Sequence, residues 1–205
     1  LTVRDERNVL TSEQLRSGEW RNVSLRSYDV TLAAQTVRPA KAHPLRRIIQ
    51  QTRRTFLEMG FTETASPIVE SSFWNFDALF QPQDHPAREM QDTFYLDEPA
   101  SLEIDENNVN QWKDIHQPGG ETGSTGLGGK FSDEIARKGL LRTHTTVNTI
   151  KHLADAPYEP CRVFAVGRVF RKESIDRTHL PEFHQIEGII MEPGANLPML
   201  VTTLK

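Results

Sequence analysis

The chain is 205 residues long, with 37% hydrophobic and 25% charged residues, enough for one domain, or a large part of one, with a core of its own. Its 24 Lys and Arg against 28 Asp and Glu give a net charge of -4, which excludes a uniformly basic nucleic-acid binder but leaves room for a local basic face. A single cysteine excludes an internal disulfide framework and any multi-cysteine zinc site, and suits a reducing, cytoplasmic compartment.

Residues 1–42 read as a lead-in or linker from a longer N-terminal region. They begin with Leu1 rather than Met, and residues 1–7 lack the apolar core of a signal peptide. Thr11 with Gln14 forms a capping-box pattern, and Gly18 ends the short helix between them. Residues 28–37 alternate loosely, as an extended arm does, and Pro39 and Pro44 punctuate the approach to the next element.

Residues 44–60 give the clearest helix. Leu45, Ile48, Ile49, Thr52, Phe56 and Met59 fall at helical spacing, with Pro44 in the first turn and Gly60 at the C′ position. Arg46, Arg47, Arg53 and Arg54 occupy the remaining positions, as a solvated face or as a face toward RNA phosphates.

Residues 61–95 are dense in aromatics, and residues 97–138 read as an irregular excursion with glycine runs around 119–129. That run lacks the Lys-Ser/Thr ending and strand-loop-helix setting of a P-loop, so it reads as a flexible surface loop. A helix follows over 143–154, with Thr143 or Thr145 as its cap. Two strands, 161–171 and 183–192, then form an antiparallel hairpin with a long polar connection. The chain stops just as a new apolar segment begins near Leu197, so it reads as an excerpt of a longer polypeptide. No uncharged apolar run approaches the roughly 18 residues of a membrane span, and no membrane association is expected.

The chemistry concentrates in the hairpin. Strand alternation puts Phe183, Gln185, Glu187 and Ile189 on one face, and His184, Ile186 and Ile190 on the other. Arg171 and Glu173 share a face at the end of the first strand, so Arg171, Glu173, Gln185 and Glu187 can converge. Inward Gln and Glu are costly unless they bind something, yet antiparallel sheets often carry an exposed face of satisfied charges. The pattern alone admits both readings. His184 points away from Gln185 and reads as structural.

Two longer motifs carry a resemblance. Phe170-Arg-Lys-Glu173, with His179 and Phe183-His-Gln-Ile-Glu-Gly188, resembles motif 2 of a class II aminoacyl-tRNA synthetase. Gly60-Phe-Thr-Glu-Thr-Ala-Ser-Pro-Ile-Val69 resembles motif 1 of that class, a helix, a glycine and a strand ending in Pro67. Within the class, Phe73-Trp-Asn-Phe-Asp-Ala-Leu-Phe80 and the following residues to Arg88, with Met90-Gln-Asp-Thr-Phe94, are similar to phenylalanyl-tRNA synthetase α-subunits. Leu141-Arg-Thr-His-Thr-Thr146 adds a further match, and the glycine run from Gly119 resembles the archaeal and eukaryotic branch.

The resemblance implies an α+β class II synthetase core, an antiparallel sheet flanked by helices, with motif 1 at about 44–69 and motif 2 at about 162–190. Residues 43–205 would then be a partial catalytic domain. It implies ATP-dependent activation of phenylalanine and its transfer to tRNA(Phe), with Mg2+ accompanying ATP and a β-subunit as partner in an α2β2 heterotetramer. By the same likeness, Arg171 would be the catalytic arginine, holding substrate carboxylate and α-phosphate together. Glu173 would contact adenine or its loop, His179 the outer phosphates, and Phe183 the adenine ring. Gln185 and Glu187 would take the substrate ammonium, with His144 and Thr146 completing the phenylalanine cradle and Tyr95 beside it. For His144 a plain helix-capping role is the alternative. His85 and Arg88 are expected to stabilise the Asn75–Phe80 turn rather than meet substrate, Cys161 and Trp112 are expected to pack, and no three-carboxylate metal cluster is evident.

The family's motif 3, with its γ-phosphate arginine, and the aromatic wall of its amino-acid pocket do not follow Gly188. Its N-terminal RNA-contacting region is not in the sequence either, so activity is expected of the parent protein and not of this chain alone. Two further readings compete. A phosphoseryl-tRNA synthetase is disfavoured by the Asn75–Phe80 block and the lack of an extra phosphate-binding cluster. A non-catalytic paralogue is disfavoured because a retired site has no physical need of Arg171, Glu173, Gln185 and Glu187 together.

Overall fold

The computed structural model describes residues 7–32, 40–89 and 92–205. The chain divides into two compact units, Leu1–Lys41 and Ala42–Lys205.

In the first unit, helix α1 (Ser12–Ser17) is closed by the reciprocal Thr11–Gln14 capping box and ends at Gly18, in the left-handed region at φ 79°. A 3-10 turn, Glu19–Asn22, follows, and Arg7 bridges Leu25. Residues 30–32 turn rather than extend; residues 33–37 of the expected arm, and Pro39, lie outside the described residues.

The second unit opens with helix α2 (Pro44–Glu58). Its first turn is set by Pro44 and by His43, whose Nδ1 accepts the Leu45 N–H at 3.2 Å. The C-cap is Met59, and Gly60 follows at φ 81°, a conformation costly to any residue with a Cβ. Phe56 anchors α2 to the sheet, stacked on Phe164 with ring centroids 4.7 Å apart. Leu45, Ile48 and Leu57 of the same helix are exposed. Arg53 and Arg54 are paired with Glu63 and Glu58.

Three strands form the main sheet in the order β1-β4-β5: β1 (Thr62–Glu63), β4 (Cys161–Phe170) and β5 (Glu182–Met191). β1 runs parallel to β4, and β4 pairs antiparallel with β5 from Cys161↔Met191 to Phe170↔Glu182. β1 is shorter than the expected strand ending at Pro67. Thr64 N–H still reaches the Phe164 carbonyl at 2.8 Å, but the Ser66 carbonyl turns to Arg142 Nη1 at 3.0 Å, so a guanidinium replaces the ladder there. Arg142 Nε also donates to the Arg168 carbonyl of β4 at 2.8 Å. Gly167 is required for this approach, since a Cβ there would lie 2.2 Å from Arg142 Nη2.

A second, two-stranded sheet pairs β2 (Val69–Ser71) with β3 (Gly139–Leu141). Between them lie α3 (Ser72–Asn75), α4 (Glu106–His116) and α5 (Asp133–Arg137). Residues 97–138 are thus not wholly irregular. Asp105 and Ser132 cap α4 and α5, and α4 sends Val109 and Trp112 into a cluster with Phe73, Ala78, Ile104, Phe131 and Ala136. Its apolar positions are so few among Asn, Gln and Asp that periodicity hid the helix. The glycine run leaves a helix C-terminus rather than a strand, and folds back so that Leu127 N–H meets the His116 carbonyl at 2.7 Å.

Helix α6 (Thr146–Asp155) follows β3, and α7 (Leu197–Leu204) follows β5. Lys151 of α6 holds the buried Glu70 of β2 at 2.6 and 2.7 Å. Neither Thr143 nor Thr145 caps α6 through its side chain. Thr145 occupies the cap position with φ -86° and ψ -4°, already helical, so its hydroxyl does not turn back to the first amides. Antiparallel pairing in the main sheet and flanking helices give the expected α+β class. Among the described residues no helix is long and apolar enough to cross a membrane.

Candidate functional site

The β4–β5 register places Gly167 beside Gln185 and Ala165 beside Glu187. These two small neighbours leave the face above the longer side chains open, and the loop before α6 settles onto it. Gln185 Oε1 accepts the Thr145 N–H at 3.4 Å. Glu187 accepts from the Thr146 hydroxyl at 2.5 Å and the Thr149 hydroxyl at 3.1 Å, and Gln185 Nε2 lies 3.4 Å from the same carboxylate. A carboxylate at the start of α6 is favoured by the positive end of the helix dipole.

Arg171 follows β4 directly, and its N–H closes the neck of the hairpin loop on the Pro181 carbonyl at 3.0 Å. Its Nε–H donates to the Thr143 carbonyl at 3.2 Å, its guanidinium carbon lies 5.2 Å from the Phe183 ring centre, and Nη1 is 3.7 Å from Glu173. The side chain is nonetheless 42% exposed, so the fork is held in direction while open to an incoming anion.

His144 does not cap α6. Its Nε2 lies 2.9 Å from the Asn75 carbonyl, and because a carbonyl only accepts, that nitrogen carries the proton. Burial pushes the imidazole pKa down, against the Asn75 hydrogen bond and Glu187, with Arg171 adding to the depression. His144 is therefore neutral at pH 7, with Nδ1 shut off from solvent and unpartnered among the described residues.

His179 lies apart, in the exposed hairpin loop. Asp176 gathers the N–H groups of Thr178 and His179, the Thr178 hydroxyl and His179 Nδ1, all between 2.6 and 2.9 Å. The His179 bond, first, and the Thr178 bonds hold the Asp176 carboxyl well below the usual range, and Asp176 raises the His179 imidazole. A raised imidazole favours the folded loop fully below about pH 6.5 and ceases to as pH climbs through its higher folded value. Proton NMR is expected to show His179 titrating above about 6.5, and Asp176→Asn to return it toward that value. An unshifted curve in both proteins would contradict the contact.

Tyr95 belongs to a different network: its hydroxyl donates to the Arg88 carbonyl at 2.8 Å, and Lys138 Nζ lies 6.0 Å from its ring centre. Arg88 serves the aromatic turn, while His85 caps the short turn Pro86–Arg88 that carries Arg88. Arg88 Nη2 bonds Asp77 at 2.8 Å and the Gln81 carbonyl, Nη1 donates to Ser72 at 3.3 Å, and His85 Nδ1 accepts the Ala87 N–H. Burial raises the Asp77 carboxyl despite the opposing pull of Arg88.

The structure therefore brings Arg171, Glu173, Phe183, His144, Thr146, Gln185 and Glu187 around one face, and leaves His179 and Tyr95 outside that network. Sequence reasoning missed Thr149 and Asn75 as supports. Thr149 was readable as the residue one turn after Thr146 on α6; Asn75 carried no local signal, because its partners are 68 and 69 residues away. Among the described residues no group of three His, Cys, Asp or Glu is placed to hold a metal ion.

Residues 27–205 match the family of tRNA synthetases class II core domain (F). The phenylalanine–tRNA ligase alpha subunit of Methanoculleus marisnigri is 53% identical over the whole chain and 42% of its own length. That of Methanospirillum hungatei is 51% identical over the whole chain and 42% of its length, and that of Methanopyrus kandleri 51% over 98% and 39%. The chain thus spans about two-fifths of the curated relatives it matches. Among solved structures, pyrrolysyl-tRNA synthetase from Desulfitobacterium hafniense aligns over 70% of this chain and 37% of its own, with 18% identity and a TM-score of 0.43.

Proposed function

This chain belongs to the family of class II tRNA synthetase core domains, and from that premise we propose that the longer protein of which it forms part activates phenylalanine with ATP and transfers it to tRNA(Phe). One observation carries the reading: a forked cation, Arg171, and a set of ammonium acceptors, Gln185 and Glu187, share one face with the His144–Thr146 loop. Activation joins two anions, a carboxylate oxygen attacking the α-phosphate while pyrophosphate leaves. Arg171 bridges both and offsets charge at the five-coordinate phosphorus. Glu187, fixed by two threonine hydroxyls, retains acceptor capacity for the substrate ammonium, with Gln185 beside it. Phe183 gives adenine a flat surface, Glu173 lies beside it, and a protonated His179 suits the outer phosphates. Tyr95 is the outlying member of the phenylalanine set. Magnesium enters with ATP, as part of the substrate.

Residues 1–42 act as a lead-in and 43–205 as part of the catalytic domain of a cytoplasmic enzyme, and activity belongs to the parent protein. Full-length protein with its β-subunit should exchange labelled pyrophosphate into ATP when phenylalanine is added, and charge tRNA(Phe). Exchange with phosphoserine instead would install the phosphoseryl alternative, and no exchange with any amino acid would leave a binding module.

Assembly as α2β2 places an interface on the motif 1 helix, supported by the exposed Leu45 and Ile48 of α2. Sedimentation of the intact protein is expected to show weaker assembly for Pro67→Gly and for Ile48→Asp. Unchanged assembly in both would remove α2 from the interface.

A further inference from the structure

Asn75 sits in the aromatic turn after β2 and is 0% exposed, yet its amide is spent on the loop before α6. Nδ2 donates to Thr143 Oγ1 at 2.9 Å, and Oδ1 accepts the Thr143 N–H at 3.1 Å. One planar head with a donor and an acceptor thus holds residue 143 at two points. The main-chain carbonyl of Asn75 meets His144 Nε2 at 2.9 Å. Residue 143 in turn offers its carbonyl to Arg171 Nε at 3.2 Å.

We propose that Asn75 is a positioning residue, which sets Thr143 and His144 so that Arg171 is aimed at the carboxylate and α-phosphate of the reacting pair. The role rests on the activation reading of the hairpin face. It gives the Asn-Phe-Asp-Ala-Leu block a physical division of labour: Asp77 with Arg88 fixes the turn, and Asn75 projects that fixed geometry onto the catalytic arginine. Two direct bonds to residue 143 and one from residue 143 to Arg171 make the path short. A hydrophobic residue of equal size fills the space but sets neither the N–H nor the hydroxyl of Thr143.

The test uses the full-length protein with its β-subunit, phenylalanine, ATP and labelled pyrophosphate, with active sites counted by the burst of ATP consumption. Asn75→Ala should lower kcat per active site by about tenfold or more, since small misplacements at a reacting centre act steeply. Combined with Arg171→Lys it should add little further loss, because both changes act on one contact. Asn75→Asp keeps the acceptor for the Thr143 N–H and puts a second acceptor where Nδ2 donates, to which the Thr143 hydroxyl can turn and donate, and should recover part of the rate. A purely structural Asn75 would instead reduce the number of active sites, leave kcat per site unchanged and combine additively with Arg171→Lys; that result overturns the proposal. If Asn75→Ala does not fold, Thr143→Val decides: a loss of roughly two- to tenfold per site supports the role, and a wild-type rate overturns it. Wild-type protein that shows no phenylalanine-dependent exchange would sink the activation reading, and this role with it.

Discussion

Arg171→Ala in the full-length protein is expected to slow phenylalanine-dependent pyrophosphate exchange by a factor of about 10²–10³, the range for removing one preorganised donor from an oxyanion-type site. Arg171→Lys should still cost about tenfold, because a point charge cannot address two oxygens as the planar fork does. The geometry supports this ordering. Thr143 and Phe183 hold the Nε edge and one side of the guanidinium, so the arginine is oriented before substrate arrives. Lysine has no Nε–H to offer the Thr143 carbonyl, and loses aim as well as the second contact. Retained kcat with a higher ATP requirement would make Arg171 a ground-state ligand and refute its role at the reacting centre.

Arg88→Ala is the substitution with the largest expected effect on stability. The pair with Asp77 has side chains 4% and 0% exposed, and removing the cation strands a buried carboxylate. Breaking such a pair costs about 3–5 kcal/mol. At about 2–4 °C per kcal/mol for a domain of this size, the melting temperature should fall by roughly 6–20 °C. Pairing the loss with Asp77→Asn, as Arg88→Met with Asp77→Asn, should recover part of it, since no charge is then orphaned. Thermal denaturation showing Arg88→Ala within about 2 °C of wild type would mean that water reaches Asp77.

The elements most legible in the sequence were those whose signals are local. Pro44, the apolar spacing through Phe56 and Gly60 marked α2 to within a residue or two, and strand alternation assigned Gln185 and Glu187 to one face of β5. The capping box marked α1 completely. What stayed hidden was set by distant partners. α4 buries Val109 fully and Trp112 in part within a largely polar sequence, so its periodicity is weak. β1 ends early because the Arg142 guanidinium takes the Ser66 carbonyl just beyond it. The cap of α6 fails for a conformational reason, the helical backbone at Thr145, that residue type cannot announce. Within the site, likeness picked out residues that the fold gathers on one face, whereas the contacts of Asn75 with Thr143 and His144, 68 and 69 residues away, leave no trace in a local motif.

Residues 142 and 143 are consecutive, yet they serve opposite ends of the molecule's logic. Arg142 grips the Ser66 carbonyl, in the segment that descends from α2, and the Arg168 carbonyl of β4. Thr143 carries Arg171. One peptide unit therefore joins the strap that descends from α2 and the arginine of the candidate site. Gly167 lets the Arg142 guanidinium lie against β4 with no intervening side chain, so this junction has little slack. A displacement of the 66–68 segment would therefore carry the loop that orients Arg171 with it, so the strap after α2 and the hairpin arginine form one mechanical linkage.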